Sequence, residues 1–343
     1  MRRHLCTWRL TQTPYKIQMR DTISASDFDL NKTLNSGQVF HWVSDNGGWY
    51  GLLGDIPIFA KQDGEKLSIE AGAFPLPKST LKEIVSRYFA LDHPLQKICD
   101  SFPNDPAMKA AVDYCQGLRI IRQPKWECLA TFICSSMKQV AHIRQMSQAL
   151  RQRFGEPRAI HGRRLHTFPT AGILAESSEK ELRACALGYR AKNLLATARL
   201  IASGEADLEA WSDFANAELS LKLCSLPGVG AKVANCVMLF AYERLRAFPI
   251  DVWIERVLRQ QYFSRKRKPT TARLRTFSAE YFGEHGGYAQ QYLFHHARTM
   301  KRQGAGRLNP QCSPVRSNKN SYVFPSEVEG PPPAAAGRNT PHK

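Results

Sequence analysis

Leu226-Pro227-Gly228-Val229-Gly230-Ala231-Lys232-Val233-Ala234-Asn235-Cys236 is the stretch on which the fold turns. It lies between two segments of helical period, residues 215–224 and 231–243. Two glycines, Gly228 and Gly230, let the backbone reverse sharply around Val229 and approach another surface closely. The turn runs straight into a helix, whose first amides, Val233 among them, lack partners inside it. With the helix dipole behind them, such amides suit a phosphate. This is the geometry of a helix–hairpin–helix, which grips a DNA backbone without reading its sequence. A plain glycine-rich connection is the alternative.

Lys232 falls in the first turn of the second helix, where the positive end of the dipole opposes its charge. That opposition, and burial in a cleft, would favour a neutral, nucleophilic amine. Taken alone, the lysine reads equally as a surface contact to phosphate. Further on comes Phe248-Pro249-Ile250-Asp251-Val252-Trp253. Pro249 ends what precedes it, and Asp251 sits at the start of an apolar-periodic helix. An isolated aspartate there is an N-cap. Hairpin, lysine and Pro-x-Asp in this order are far more specific than any one of them.

The rest of the chain fits this frame. Its 343 residues suggest two domains. A hydrophobic share of 43% supplies apolar mass for real cores. No run is long and apolar enough to cross a membrane. The formal charge of +18 calls for a polyanionic partner, and the body stays basic when both ends are set aside. Residues 258–275 carry seven basic residues and no acid. The nine cysteines include no CxxC spacing, which argues for reduced thiols, without structural zinc or a four-cysteine iron–sulfur cluster. With no secretory segment near the start, a protein that is not secreted is expected.

Residues 24–72 read as strands and turns. Val39-Phe40-His41-Trp42, Trp49-Tyr50-Gly51-Leu52-Leu53 and Ile56-Pro57-Ile58-Phe59 are separated by Asp45-Asn46-Gly47-Gly48 and similar turns. After Pro77 the period becomes helical. Helices are expected either side of Ser135-Ser136, then at 178–203, 215–224, 231–243, 251–262 and 271–283. The expected class is therefore α+β: an N-terminal twisted antiparallel sheet with helices, then an all-helical domain carrying the helix–hairpin–helix. The expected division is a basic, unstructured leader at 1–23 (with Met19 a candidate start), a β-rich domain at 24–115, a helical catalytic domain at 116–303 and a disordered tail at 304–343.

In its hairpin, lysine and Pro-x-Asp segment the sequence resembles the helix–hairpin–helix/Gly-Pro-Asp superfamily of base-excision DNA glycosylases. Asn35-Ser36-Gly37-Gln38-Val39-Phe40-His41-Trp42, Phe132-Ile133-Cys134-Ser135-Ser136, Leu187-Gly188-Tyr189-Arg190-Ala191 and Ala289-Gln290 with Phe294 are similar to segments of its 8-oxoguanine DNA glycosylase/AP lyase family. The resemblance runs in order over residues 25–300, outside the leader and tail.

It implies a bifunctional enzyme acting on duplex DNA that contains oxidised guanine. The damaged base is extruded from the stack before its sugar bond is reached. The Gly37 carbonyl would accept the N7 hydrogen that 8-oxoguanine has and guanine lacks. Gln290 would bond the Watson–Crick edge, with Phe294 and Cys236 sandwiching the ring. Lys232 would attack the anomeric carbon and form an iminium, which permits β-elimination. Asp251 would stabilise the developing positive charge. Gly228, Val229, Gly230, Val233, Met137, His142, Tyr189 and Arg190 would contact DNA.

The chain departs from that pattern after Ser136. Met137-Lys138-Gln139 stand where the family has asparagines, one of which fills the gap left by the flipped base. His142 stands for a basic reader of the opposite cytosine, with Arg190 left to help, so strict preference for cytosine is not expected. Trp253 replaces a phosphate-touching histidine. His295-His296 offers no metal site, since adjacent residues point to different helix faces. No organic cofactor and no side-chain metal site are expected. A cation bridging hairpin carbonyls to a DNA phosphate is allowed. The chain would be a monomer, in the cytoplasm (nucleoid) of a bacterium or the nucleus of a eukaryote. The rival readings are a glycosylase for alkylated or other oxidised bases, and a non-catalytic DNA-damage-binding module.

Overall fold

The computed structural model describes residues 19–73, 79–263 and 269–302. The tail, most of the leader and the centre of the basic run lie outside the described residues.

Five strands, β1 (Met19–Ser24), β2 (Val43–Asp45), β3 (Gly48–Leu53), β4 (Ile56–Asp63) and β5 (Lys66–Ala71), form an antiparallel sheet of order β1-β5-β4-β3-β2. The Asn-Gly signal works as expected. Asn46 and Gly47 both take positive φ between β2 and β3, as a two-residue hairpin demands. The expected leader is shorter than residue 23, because Met19–Ser24 pairs with β5, Ile23 opposite Leu67. Leu67, Ile69, Ile58 and Ala60 bury one face against α1 (Leu30–Asn35) and α2 (Leu81–Tyr88).

The segment Val39–Phe40–His41–Trp42 is not a strand. Its four side chains are all buried, yet in different places. Val39 and Trp42 enter the sheet core, Phe40 enters the helical core, and His41 meets a carboxylate between them. Burial that does not alternate between two faces lacks the period of two that a strand requires.

Next come α3 (Leu95–Asp100) and α4 (Pro106–Cys115), whose buried residues Leu95, Ile98, Met108, Ala111 and Cys115 join the helical core. The helical core thus draws on residues that precede 115 in the sequence. Helices α5 (Lys125–Cys134) and α6 (Val140–Phe154) flank the paired serines. A hairpin not expected in an all-helical part, β6 (Pro157–Ile160) and β7 (Arg163–His166), leans on the sheet through Ile160 and Leu165 against Tyr50 and Leu52.

Then follow α7 (Ala171–Glu176), α8 (Glu179–Leu182), α9 (Arg190–Ala202), α10 (Asn216–Cys224), α11 (Ala231–Ala241), α12 (Val252–Gln261), α13 (Thr271–Tyr281) and α14 (Gly286–Arg302). The single helix expected at 178–203 is broken. Ala186 (φ 62) and Gly188 (φ 59) leave helical space, so Tyr189 is thrown outward. The last described helix, α14, packs against both α4 and α12.

A buried ion cluster joins the two cores. Glu127 of α5 pairs with Arg151 of α6, and its Oε1 lies 3.1 Å from His41 Nδ1. His41 Nε2 lies 2.9 Å from the Leu52 carbonyl of β3, and Arg151 donates to the His166 carbonyl at 3.1 Å. Burial opposes ionisation of Glu127, but Arg151 and then His41 outweigh it and hold the carboxyl at about 2. Removing one partner of such a cluster strands the others, at a cost of about 3–5 kcal/mol. Glu127→Gln should therefore lower stability by that amount at neutral pH, read from denaturant midpoints. A carboxyl held below its ordinary 4.5 stabilises fully above that pH and loses the contribution as pH falls toward about 2. The wild-type advantage should shrink over that window; a gap that stays constant would contradict the assignment.

Candidate active site

The hairpin between α10 and α11 is rigid from beneath. Leu226 and Val229 are buried in the helical core, Val229 N–H donates to the Leu226 carbonyl at 3.1 Å, and Thr197 Oγ1 donates to the Pro227 carbonyl at 2.9 Å. Gly228 holds φ +80, and a Cβ there would stand 2.8 Å from Asn193 Cβ. Gly230 is extended and faces open space, so the structure leaves it room for an external surface. No side chain caps α11, and the half-buried Lys232 follows in its first turn while Val233 and Cys236 are buried.

Lys232 points into a cavity of about 950 Å³. Its Nζ donates to Ser135 Oγ at 2.9 Å and lies 5.1 Å from the centroid of the Phe132 ring. Ser135 Oγ in turn donates to the Phe132 carbonyl at 2.6 Å, which fixes the hydroxyl that receives the amine. Phe132 stacks on Phe240 at 5.5 Å and meets Phe40 edge-on at 5.7 Å. The amine thus rests on an aromatic floor and is anchored by the Ser135 hydroxyl.

Asp251 opens onto the same cavity. It caps α12, accepting from Ile254 N–H at 2.9 Å, so the N-cap reading holds together with a position in the cavity wall. Burial raises its carboxyl above the ordinary 3.8, against the opposing pull of backbone amides and Lys232. Cys236 also lines the cavity; burial pushes its thiol up to about 11, with Lys232 pulling the other way, so at neutral pH it presents a protonated sulfur.

The far wall comes from α14 and the 36–42 loop. Gln290, Phe294 and Arg298 recur at i, i+4 and i+8 and face the cavity together. Gln290 is 4% exposed, and its Oε1 has no partner among the described residues. Leaving a buried amide oxygen unpaired is costly until something supplies a donor. Gly37 holds φ +88, and a Cβ there would stand 2.5 Å from Arg298 Nη1 and 3.3 Å from Phe294 Cε1.

The remaining expected contacts lie at the rim. Met137 is 94% exposed at the α5–α6 turn with φ 54, a left-handed conformation that costs a branched backbone about 1–2 kcal/mol. His142 is exposed on the first turn of α6, and Tyr189 is 55% exposed. Arg190 does not project with them. It is 5% exposed; both Nε (at 3.0 Å) and Nη2 donate to the Ser136 carbonyl, and its guanidinium lies 4.3 Å from the Tyr189 ring centroid. Its place is under the turn that carries Met137. Trp253 stands at the cavity mouth with Arg256 over its ring at 5.4 Å.

Sequence reading missed Ser135 and Arg298. Ser135 sat in a quoted motif without a role. Arg298 was available by counting one more turn from Gln290 and Phe294. Among the described residues no group of three or more His, Cys, Asp and Glu is gathered for a metal, and no helix is long and apolar enough to cross a membrane.

Comparison with known proteins agrees with this architecture. Residues 22–129 match the N-terminal domain of 8-oxoguanine DNA glycosylase, and residues 130–282 match the HhH-GPD superfamily of base excision DNA repair proteins. The N-glycosylase/DNA lyase of Saccharomyces cerevisiae is 31% identical over 74% of this chain and 73% of its own. A probable N-glycosylase/DNA lyase of Methanothermobacter thermautotrophicus is 28% identical over 83% of this chain and 99% of its own. The 8-oxoguanine glycosylase/lyase of Clostridium acetobutylicum, solved with double-stranded DNA containing cytosine opposite 8-oxoG, superposes with a TM-score of 0.76 at 30% identity, covering 83% of this chain and 99% of that one. With two consecutive domain matches and relatives of this likeness spanning the sheet and the helical part alike, the chain belongs to the 8-oxoguanine DNA glycosylase family of helix–hairpin–helix/GPD base-excision repair proteins.

Proposed function

We propose that this chain is a bifunctional DNA glycosylase/AP lyase that extrudes 8-oxoguanine from duplex DNA, releases it, and cleaves the abasic site by β-elimination. One observation carries the reading. An amine (Lys232) and a half-buried carboxylate (Asp251) open onto the same cavity, which Gly37, Gln290 and Phe294 also line. A clamp without chemistry has no use for that pairing.

In this mechanism the hairpin amides and the basic surface hold the phosphates, and Met137 enters the stack as the base leaves it. The extruded ring lies between Phe294 and the Cys236 sulfur. Gln290 Oε1 gains the donor it lacks, and the Gly37 carbonyl accepts from N7–H. Guanine, with a bare N7, would confront that carbonyl with a lone pair. The Lys232 amine, neutral when it attacks, bonds to C1′ as the glycosidic bond breaks and the base departs with its electron pair, later taking a proton. The Asp251 carboxylate stabilises the positive charge that grows on the sugar. The sugar ring opens to an iminium on Lys232; loss of a C2′ proton expels the 3′ phosphate, and water frees the lysine.

A cation on the hairpin carbonyls would screen a DNA phosphate from the turn. The Leu226 and Pro227 carbonyls each accept one internal hydrogen bond and keep a second lone pair for it.

Borohydride should trap a covalent complex with 8-oxoguanine duplex, and Lys232→Gln should abolish trapping while DNA binding persists. Undiminished trapping in that variant would reject the nucleophile. Run opposite C, A, G and T, the same assay should give rates within about tenfold, or about 1.4 kcal/mol, because Met137 and His142 offer little to read cytosine. A sharp cytosine preference would refute this.

Asp251 acts as the carboxylate, so single-turnover base release should fall as pH drops through its raised value, above 3.8. Asp251→Asn, which keeps the cap, should lose that acid limb and about a hundredfold or more in rate. Met137→Gly should leave stability unchanged or raise it by up to about 1 kcal/mol, since relief of the left-handed backbone opposes glycine's entropy. The same variant should slow extrusion, followed by a fluorescent base beside the lesion; unaltered extrusion would remove Met137 from the wedge role.

A further inference from the structure

We propose that Arg298 decides which damaged bases the pocket accepts: its buried guanidinium, laid over Phe294 and against Gly37, admits neutral oxidised purines and turns away purines made cationic by alkylation. The inference rests on the base-pocket reading above and adds a selector to it.

Arg298 is 7% exposed and lines the cavity. Its carbon Cζ lies 5.3 Å from the Phe294 ring centroid, and Nη2 donates to the Asn35 carbonyl, next but one to Gly37. Nη1 fills the space that a Cβ on Gly37 would need. One guanidinium therefore touches both the ring that stacks the base and the glycine that reads N7. An arginine stays charged at any working pH.

Four other charged side chains among the described residues line the cavity. Lys138 is exposed at the rim and Lys232 rests on Phe132. Asp251 is drawn to the Ile254 amide, and Glu255 is paired with Arg259 at 2.6 Å. Both carboxylates belong to the start of α12, Asp251 as its cap and Glu255 in its first turn. A base stacked on Phe294 shares its ring with a cation in a partly desolvated site, where screening by water is weak. A neutral purine loses nothing there, and its electron-rich carbonyl edge gains. A 7-methylated guanine brings a positive charge into the same field. The rival activity of the superfamily, excision of alkylated bases, would thus be suppressed by charge as well as by shape.

The test uses the full-length protein on duplexes carrying one 8-oxoguanine, 7-methylguanine or hypoxanthine, with base release measured under single turnover. Arg298→Met removes the charge and keeps the length; Arg298→Lys keeps a charge. The ratio of 7-methylguanine to 8-oxoguanine release should rise by about tenfold or more in the methionine variant and stay near wild type in the lysine variant. Hypoxanthine, neutral at its ring, should not gain in step. Equal shifts in both variants, or an equal gain for hypoxanthine, would mean that Arg298 acts by packing and would overturn the proposal, as would no shift at all. Failure of the wild type to release 8-oxoguanine would strike the functional reading instead. The Arg298 inference would then be judged by whether the methionine variant gains on 7-methylguanine over hypoxanthine.

Discussion

The site depends on how residues 36–42 are gripped between two cores. Gln38 is the central clamp. Its Oε1 accepts from Ile121 N–H at 2.7 Å, its Nε2 donates to the Arg119 carbonyl at 2.8 Å, and its own carbonyl accepts from Gln123 Nε2 at 2.7 Å. From the other side α14 takes hold: Gln291 Nε2 donates to the Ser36 carbonyl at 3.1 Å, and Arg298 to that of Asn35. Gly37 is thus fixed by its neighbours on both sides. In the proposed reading a backbone carbonyl discriminates one hydrogen on a base only if it cannot turn away, and here its segment is braced by five side-chain contacts with two other parts of the chain, residues 119–123 and α14.

The same logic places the two groups proposed to react. The hairpin has little freedom, because its apolar residues are core residues and Thr197 holds Pro227. Lys232 inherits that rigidity from the first turn of α11, and Ser135 fixes its tip. Asp251 inherits its position from capping α12. The cap that looked like a rival explanation for the aspartate is what aims it. Burial then keeps its carboxyl readier to take a proton than an exposed one, while Lys232 and the helix amides restrain that tendency. Sheet and helices were read as separate bodies, yet the pocket belongs to both, and the Glu127–Arg151–His41 cluster keeps them in register.

Much of this was legible in the sequence where local chemistry is decisive. A glycine at positive φ in a hairpin, an Asn-Gly turn and a Pro-x-Asp cap leave marks that tertiary packing does not erase. The signal failed where burial is two-sided or polar. Val39 to Trp42 have the composition of a strand, but each side chain is claimed by a different neighbour, so none of it pairs. The last helix hides its period because its inward face carries Gln290, Gln291, His295 and Arg298, which a hydrophobic count treats as surface. The break at Ala186 to Gly188 was masked by residues of good helix propensity. Arg190 was expected to contact DNA from the family resemblance; its inward course in this structure follows from the Ser136 carbonyl 3.0 Å from Nε.

That inward course explains how an unfavourable turn persists. Met137 occupies left-handed space with almost no side-chain contact to compensate it, at a cost of about 1–2 kcal/mol. The Arg190 guanidinium supplies charge-assisted hydrogen bonds to the preceding carbonyl, each worth about 1.5–3 kcal/mol in a sheltered setting, and so offsets the strain where it arises. The exposed methionine is held out at the rim by a buried cation beneath it. Tyr189 lies against the same guanidinium, so the two exposed apolar probes share one support. In the proposed wedge role, a backbone turn already held in place spares the cost of ordering it when DNA binds.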